Sequence, residues 1–306
     1  MSNRPRILIV GVRGQVGVEL RRSFAGFGEI TACDRDTADL SVAAEVRALV
    51  RDAAPDIILN AAAYTAVDRA ESEREATWAM NEHAPATLAS EAQRLGALLV
   101  HYSTDYVFDG SKAGPWIETD APCPLNVYGA SKLAGEKAIR EVGGRYLIFR
   151  TSWVYGPHGH NFFLTMLRLG AERESLRIVA DQIGAPTTSI EIARATKTAV
   201  EKALSGRLGK DADWVGLYHM TCSGSVSWAG FAKAIFARAG KLLRGNVPTV
   251  HEIDSDEYPT AAQRPLNSVL SNEKFANRFG FRLAPWESAL DQAMRELGER
   301  REAETE

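Results

Sequence analysis

Short apolar runs alternate with stretches of helical periodicity along the first half of the chain. The segment from Ile7 to Val10 is apolar throughout and ends at a glycine, as is typical of a strand buried on both faces of a parallel sheet. Val16, Leu20 and Phe24 then recur at helical spacing, and an extended segment follows at 29–33. These elements predict one strand-helix-strand unit.

The same alternation continues to about residue 150. The further predicted elements are a helix at 43–53, a strand at 57–59, a helix at 76–95, a strand at 97–102, a helix around Tyr128 and a strand at 146–149. Repeated alternation of this kind predicts an α/β fold with a Rossmann-type, doubly wound parallel sheet. Ligands on such sheets bind outside the carboxyl ends of the strands.

Beyond residue 150 the pattern loosens, and loops interrupt it at 156–157 and 185–187. Helices are predicted at 162–172, 189–205, 227–239 and 286–298. We expect a smaller, discontinuous second domain. The predicted division assigns 1–153 and 186–224 to the domain of the sheet, and 154–185 and 225–306 to the second domain.

Composition narrows the kind of partner and the compartment. The 306 residues are 45% hydrophobic and 25% charged, with a net charge of -3 that gives no basic excess for nucleic acid or an anionic membrane. No run approaches the roughly 20 apolar residues of a membrane span. A small-molecule partner therefore suits this charge. Cys33, Cys123 and Cys222 lie far apart, so we expect free thiols, no metal site and a cytoplasmic protein.

A glycine-rich turn follows the first strand and opens the first helix. Gly11, Gly14 and Gly17 allow a tight turn, close approach of the backbone to a pyrophosphate and close packing of the helix on the strand. The helix N-terminus also favours the phosphate charge. The spacing is wider than G-x-G-x-x-G, but its position between strand and helix predicts a dinucleotide-binding domain.

The ends of the next two strands carry residues suited to the rest of a dinucleotide. Asp34 can bond an adenosine ribose and select NAD, whereas the adjacent Arg35 can pair with the additional phosphate of NADP. Either NADPH or NADH is therefore the predicted cofactor. Asp39 could lie beside the adenine or cap the following helix. The small residues at 60–65 leave room for a cofactor, although packing alone would also explain them.

Three side chains are candidates for chemistry at a carbonyl group. Thr104 ends a strand and could polarise a carbonyl oxygen, or could bond only its own loop. Tyr128 and Lys132 are four residues apart on a predicted helix, so both can face one ligand. An ammonium group beside Tyr128 would lower the pKa of its phenol, making it a better proton donor.

Together these segments resemble the extended short-chain dehydrogenase/reductase superfamily and, within it, the family of dTDP-4-dehydrorhamnose reductases. The resembling segments are 11–17, 60–68, 102–110, 124–136, 150–156, 161–162, 181–187 and 264–268. The resemblance implies NADPH- or NADH-dependent reduction of a C4 keto group on dTDP-4-dehydro-6-deoxy-L-mannose, which forms dTDP-L-rhamnose. It also gives a homodimer as the candidate assembly.

The resemblance also implies individual roles for residues in this sequence. Tyr128 would donate the proton, Thr104 would bond the same oxygen, and Lys132 would hold the nicotinamide ribose. Asp105 and Trp153 would contact the nucleotide sugar together with Thr104 and Tyr128. The implied cofactor contacts are Gly14, Gln15 and Val16 at the pyrophosphate, Asp34, Asp39 and Leu40 at the adenosine, and Ala63, Tyr64, Thr65 and Tyr102 elsewhere.

Three other functions stay open at the level of sequence. A reductase of another 4-keto-6-deoxy nucleotide sugar would keep every catalytic residue. An epimerase or dehydratase would retain its cofactor through turnover, and Asp105-Tyr106 fits poorly with the additional acid/base residues of a dehydratase. A noncatalytic subunit resembling the regulatory subunit of methionine adenosyltransferase is the third, although intact Thr104, Tyr128 and Lys132 argue against it.

Overall fold

The computed structural model describes residues 4–243 and 247–303. The strands are β1 (Arg6–Val10), β2 (Glu29–Cys33), β3 (Ile57–Asn60), β4 (Leu98–Thr104), β5 (Arg145–Thr151), β6 (Val154–Tyr155), β7 (Ser175–Val179), β8 (Ile183–Gly184), β9 (Thr187–Thr188), β10 (Gly216–His219), β11 (Val226–Ser227) and β12 (Thr249–Ile253). The helices are α1 (Gln15–Ser23), α2 (Ala43–Ala53), α3 (Val67–Ala70), α4 (Arg74–Trp78), α5 (Ala84–Leu95), α6 (Val127–Val142), α7 (Phe162–Glu172), α8 (Ser189–Leu204), α9 (Trp228–Ala239), α10 (Glu273–Phe279) and α11 (Trp286–Ala303).

Six parallel strands form the central sheet in the order β10-β5-β4-β3-β1-β2. The α/β prediction is confirmed, and so are the five strands predicted within the first half. The direction of winding reverses between β1 and β3, so their carboxyl ends form the crevice where ligands bind on such sheets. The sixth strand, β10, has no counterpart in the sequence prediction.

Both faces of the sheet are covered by apolar side chains, which explains the uninterrupted apolar runs of the strands. Ile7 and Ile9 point into a cluster formed with α1 and α8, whereas Leu8 and Val10 point into one formed with α2 and α5. All four side chains are at most 1% exposed.

A separate apolar cluster joins α7, α9, α11 and β7, with Phe163, Phe231 and Leu290 among its fully buried members. Apart from Cys222, which the predicted division places with the sheet, its residues fall within the ranges predicted for the second domain. Phe275 and Phe279 of α10 instead pack with the sheet, although the predicted division places them in the second domain. The division itself stays a prediction, and its residues 244–246 and 304–306 lie outside the described ranges.

The helix predicted at 76–95 contains a π-helical turn at Ala79–His83 between α4 and α5. Pro85 in the first turn of α5 has no N–H, so the regular backbone ladder cannot pass through it. The Asn81 side chain lies in this turn; it accepts from the Tyr64 N–H at 2.9 Å and donates to the Ser131 hydroxyl at 3.0 Å. The irregular turn therefore links the loop after β3 to α6.

Candidate active site

The glycine-rich turn has the geometry of a phosphate-binding loop. Gly11 has φ +81°, and a Cβ there would lie 2.7 Å from the Ala62 nitrogen. A Cβ at Gly17 would overlap the Gly11 carbonyl group, so α1 can approach β1 only with glycine at this position. Gly14 caps α1 without a side-chain bond, which leaves the first N–H groups of the helix available to an anion.

A cavity of about 750 Å³ opens at this turn, along the carboxyl ends of β1, β2 and β3. Eight predicted cofactor residues line it, namely Gly11, Gly14, Asp34, Arg35, Asp39, Leu40, Ala63 and Tyr64. Its volume and the glycines in its wall suit a dinucleotide. Asp39 does not cap α2, because both bonds to its Oδ1 come from Ser41.

Arg13, which the sequence reasoning did not single out, lies at the adenosine end of this cavity. Its guanidinium group is 2.6 Å from Asp34 Oδ2 and 2.6 Å from Asp36 Oδ2. The structure therefore places a cation directly on the carboxylate predicted to choose between NAD and NADP. Its position between Gly11 and Gly14 is the sequence feature that could have indicated a residue beside the cofactor.

Several predicted cofactor residues do not line this cavity. Gln15 accepts from Asn161 at 2.8 Å through its side chain and thereby joins α1 to the cap of α7. Val16 and Gly17 pack between α1 and the sheet, and Thr65 is exposed. The Tyr102 hydroxyl bonds Thr196 at 2.8 Å in the core beneath α8, so only the backbone of Tyr102 faces the catalytic helix.

Helix α6 presents Tyr128 and Lys132 at the carboxyl edge of β4. Asn126 caps the helix by accepting from the Gly129 N–H at 2.8 Å. A side chain at Gly129 would overlap the Tyr106 carbonyl group, so glycine allows the helix to lie against the loop after β4. This close contact brings Tyr128 next to Thr104.

Burial is the largest influence on the pKa values of Tyr128 and Lys132, ahead of any effect of one of these groups on the other. Burial raises the pKa of Tyr128 to about 12, and the adjacent Thr104 hydroxyl lowers it by a smaller amount. Burial also lowers the pKa of Lys132 to about 8, against the opposite effect of Glu136. Lys132 is not among the groups that shift the pKa of Tyr128, and its Nζ donates to the Tyr102 carbonyl group at 2.5 Å.

Thr104 and Asp105 form one buried polar group with Ser152. The Thr104 hydroxyl donates to Asp105 Oδ1 at 2.9 Å, and the Ser152 hydroxyl donates to Oδ2 at 3.0 Å. Burial raises the pKa of Asp105 to about 6 despite these bonds. Asp105 therefore orients Thr104, in addition to the substrate contact predicted for it.

Trp153 follows β5 in a left-handed conformation, with φ 47°. Its ring stacks on Trp228 with 3.5 Å between centroids and an interplanar angle of 5°. A Cβ at Gly184 would overlap the same indole, so glycine makes room for it. One face of Trp153 is thus covered by Trp228, a long-range partner that the sequence did not indicate.

A second cavity, of about 890 Å³, lies between α3 and residues of α7, β7 and α9. Trp228, Gln182 and Tyr258 are among its lining residues. Arg264 also lines it and forms a bidentate pair with Asp68, at 2.7 and 3.0 Å. This pair holds the pKa of Asp68 below its usual range and ties α3 to the loop before residue 265.

Two further findings concern membranes and metals. No helix within residues 4–243 and 247–303 is both long and apolar enough to cross a membrane. The same residues contain no group of three or more His, Cys, Asp or Glu side chains arranged to hold a metal ion. The absence of a metal requirement stays a prediction.

A parallel sheet with a glycine-rich phosphate turn, together with a Tyr-Lys pair beside a threonine, defines a nicotinamide-dependent oxidoreductase of the short-chain dehydrogenase/reductase class. The family model described as RmlD substrate binding domain matches residues 5–299. The chain belongs to this family, that of the dTDP-4-dehydrorhamnose reductases. The resemblance found in the sequence is confirmed.

Individual relatives agree with this assignment. A dTDP-4-dehydrorhamnose reductase of Burkholderia thailandensis is 49% identical, over 95% of this chain and 99% of the relative. The enzyme of the same name from Escherichia coli K12 is 44% identical, over 95% and 97%. A crystal structure of dTDP-4-dehydrorhamnose reductase from Bacillus anthracis in complex with NADP has a TM-score of 0.88 and 35% identity, covering 96% of this chain and 99% of that one.

Proposed function

We propose that the chain reduces the C4 keto group of dTDP-4-dehydrorhamnose to give dTDP-L-rhamnose, the last step in the synthesis of that nucleotide sugar. The observation that carries the proposal is the half-buried Tyr128 phenol, with its pKa raised to about 12, beside Thr104. It stands in a chain that shares nearly its full length with reductases of that name. When bound, NADPH or NADH supplies the hydride.

The turn from Gly11 to Gly17 and the N-terminus of α1 would hold the pyrophosphate of the cofactor. Asp34, with Arg13 and Arg35 beside it, would meet the adenosine ribose. The backbone at Ala63 and Tyr64 would approach the remainder of the dinucleotide. The Tyr64 side chain is held in place because its hydroxyl donates to Glu73 at 2.5 Å.

Reduction of a ketone leaves negative charge on its oxygen, and the protein must supply a proton there. Tyr128 is the donor: its pKa of about 12 keeps the phenol protonated at neutral pH, in the acid form that the reaction consumes. Thr104 would donate a hydrogen bond to the same oxygen by exchanging its present partner, Asp105, for the substrate. Lys132 would hold the nicotinamide ribose from the next turn of α6.

Asp105 and Trp153 are the proposed substrate contacts beside Thr104 and Tyr128. The cavity of about 890 Å³ is large enough for a nucleoside diphosphate sugar. Arg264 provides a positive charge for the diphosphate, which would compete with Asp68 for this guanidinium group.

The direct test supplies purified protein with dTDP-4-dehydrorhamnose and follows oxidation of NADPH and NADH in parallel. The product is compared chromatographically with dTDP-L-rhamnose. Other 4-keto-6-deoxy nucleotide sugars serve as competing substrates in the same assay. No consumption of either cofactor would sink the proposal, and faster turnover of another nucleotide sugar would reassign the substrate.

Arg13 provides a prediction about cofactor choice. An additional phosphate on the adenosine ribose would bring negative charge close to Asp34, and Arg13 neutralises that carboxylate. We expect Arg13→Gln to raise the KM for NADPH by roughly tenfold, the scale of one charge-assisted hydrogen bond, with a much smaller effect on the KM for NADH.

Arg35→Gln is the comparison variant, because Arg35 lines the same cavity and is the arginine that the sequence predicted to pair with the phosphate. Steady-state kinetics of both variants with both cofactors give four values of KM to compare with the unchanged protein. An equal rise for NADPH and NADH in Arg13→Gln would show that Arg13 does not recognise the phosphate. A selective loss in Arg35→Gln alone would transfer the role to Arg35.

The proposal also covers the location, the partners and the assembly of the enzyme. A cytoplasmic location is supported by three free cysteines, and a small-molecule partner rather than nucleic acid by a net charge of -3. A homodimer and the two-domain division also belong to the proposal. Analytical ultracentrifugation tests the first, and limited proteolysis tests the second.

A further inference from the structure

Asp105 lies at the centre of a buried cluster of hydroxyl groups at the carboxyl edge of the sheet. The Thr104 hydroxyl donates to its Oδ1 at 2.9 Å, and the Ser152 hydroxyl donates to its Oδ2 at 3.0 Å. Ser268 is a third hydrogen-bonding partner of this carboxylate. All four residues are between 1% and 5% exposed. Protein hydroxyl groups, rather than solvent, therefore hold the Asp105 carboxylate.

Thr104 has a single hydroxyl hydrogen, which in this structure is committed to Asp105. A ketone oxygen accepts hydrogen bonds but cannot donate one, so Thr104 can bond the substrate oxygen only with that same hydrogen. Turning the hydrogen to the substrate removes one of the three donors of a buried carboxylate. A buried charge that loses a donor is unfavourable. A change at Asp105 should therefore accompany the turn of the Thr104 hydroxyl.

A proton on Asp105 satisfies every group in this arrangement. With the proton on Oδ1, the carboxyl group donates to the Thr104 oxygen instead of accepting from it, and Oδ2 still accepts from Ser152. The Thr104 hydrogen is then free for the ketone oxygen, and no heavy atom has to move. Each of these buried groups keeps a partner, as buried polar groups generally do.

We propose that Asp105 takes up a proton when the keto substrate binds, and that the protonated carboxyl group sets Thr104 as a donor to the substrate oxygen. Asp105 is then a positioning residue, and the inference rests on the proposed function. The proton comes from solvent as the Asp105 O–H bond forms, and it returns to solvent when the product leaves. The proton that neutralises the alkoxide is a different one, which Tyr128 supplies.

The surroundings of Asp105 agree with proton uptake near neutral pH. Burial raises the pKa of Asp105 to about 6, and the bond from Thr104 acts in the opposite direction. Loss of that bond to the substrate therefore raises the pKa further. The titratable groups that face Asp105 are Tyr106 and Tyr128, whose raised pKa values keep both phenols uncharged. Arg264 lowers the pKa of Tyr106, but its guanidinium group is bonded to Asp68.

Isothermal titration calorimetry counts the protons without requiring turnover. Protein saturated with NADP⁺, which has no hydride to transfer, is titrated with dTDP-4-dehydrorhamnose in buffers of different ionisation enthalpy. We expect an uptake of close to one proton per substrate at about pH 7.5 and about a tenth of that at about pH 5, where the carboxyl group is already protonated. Binding at about pH 7.5 without uptake would overturn the proposal. A failure to bind the substrate would refute the proposed function, and this inference with it.

Asp105→Asn should imitate the protonated carboxyl group. Ser152 still donates to the amide oxygen, so the amide nitrogen faces Thr104 and donates to its oxygen. The number of protons taken up per substrate should fall to near zero. In steady-state kinetics, kcat/KM of the unchanged protein should fall about tenfold per pH unit above an inflection near 6, and the variant should lack this inflection. Full proton uptake in the variant would assign the proton to another group and reject the proposal.

Ser152→Ala tests the same carboxyl group from a residue outside the proposed substrate contacts. Loss of this donor raises the pKa of Asp105, so the inflection should move to higher pH and the uptake at about pH 7.5 should decrease. Lys132, with a pKa of about 8, gives a separate inflection. Asp109→Asn is the matched control, because bonds from Ser111 hold the pKa of Asp109 below its usual range, and it should change neither quantity. A purely structural role for Ser152 would alter KM or stability but leave the inflection in place, and that result would reject the proposal even where reduction is confirmed.

Discussion

Tyr128→Phe should lose most of the turnover, with kcat lower by about 10² to 10⁴, the usual contribution of a positioned general acid. The substitution removes the proton donor and keeps the ring, which packs edge-on against Tyr106 at 5.8 Å between centroids. The cofactor site should be preserved because no bond to the glycine-rich turn involves the phenol. The measurements are kcat with saturating substrate and the Kd of NADPH by fluorescence.

Tyr106→Phe is the matched control for this variant. Tyr106 is also a half-buried phenol with a raised pKa, adjacent to Asp105 in the chain, and it has no proposed part in the reaction. We expect its kcat to stay within a few fold of the unchanged enzyme. If Tyr128→Phe retained turnover comparable to that of Tyr106→Phe, Tyr128 would not be the acid. If it lost NADPH binding as well, the loss of turnover could not be assigned to the proton.

Thr104 and Asp105 show how the structure extends a prediction made from residue types. Sequence reasoning treated both as substrate contacts, and the structure adds that the first donates to the second at 2.9 Å. A threonine whose hydrogen is committed to a carboxylate presents its oxygen to Tyr128 as an acceptor. It can donate to a substrate oxygen only by exchanging that partner, and the raised pKa of Asp105, about 6, makes the exchange pH-dependent.

The sheet was predictable because each of its first five strands carries a local signal. Ile7 to Val10 are buried on both faces of the sheet. Their uninterrupted apolar sequence predicts this burial without information from the rest of the chain. The strand β10 lacks such a signal: Gly216 begins it and His219 ends it, so only two residues suggest a strand. Pairing with β5 is what makes it extended.

The same distinction separates the predicted from the unpredicted parts of the site. The spacing of Tyr128 and Lys132 is local, and a helix brings the two together whatever surrounds it. The contacts of Lys132 with His101 and of Trp153 with Trp228 join residues 31 and 75 positions apart (132−101 and 228−153). Such partners depend on packing, which no periodicity reveals. The lysine's actual environment, and hence its pKa, followed only from the fold.

Arg150→Met should destabilise the folded protein by about 3 to 5 kcal/mol, the usual result of removing one partner from a buried ion pair. Arg150 donates to both carboxylate oxygens of Glu136, at 2.8 and 2.6 Å, and the two side chains are 3% and 1% exposed. Ser103 donates to the same carboxylate. Methionine would leave Glu136 charged, buried and bonded only through Ser103, on the same helix that carries Lys132.

The free energy of unfolding from urea titrations measures this loss, and a double variant separates its cause. Arg150→Met with Glu136→Leu removes both charges and fills the space with apolar atoms, so it should be more stable than Arg150→Met alone. The exposed pair of Arg282 and Glu273 is the control, and Arg282→Met should leave the denaturation midpoint unchanged. A double variant as unstable as the single one would mean that Arg150 matters for its packing on Phe108, 5.0 Å from the ring centroid, rather than for its charge.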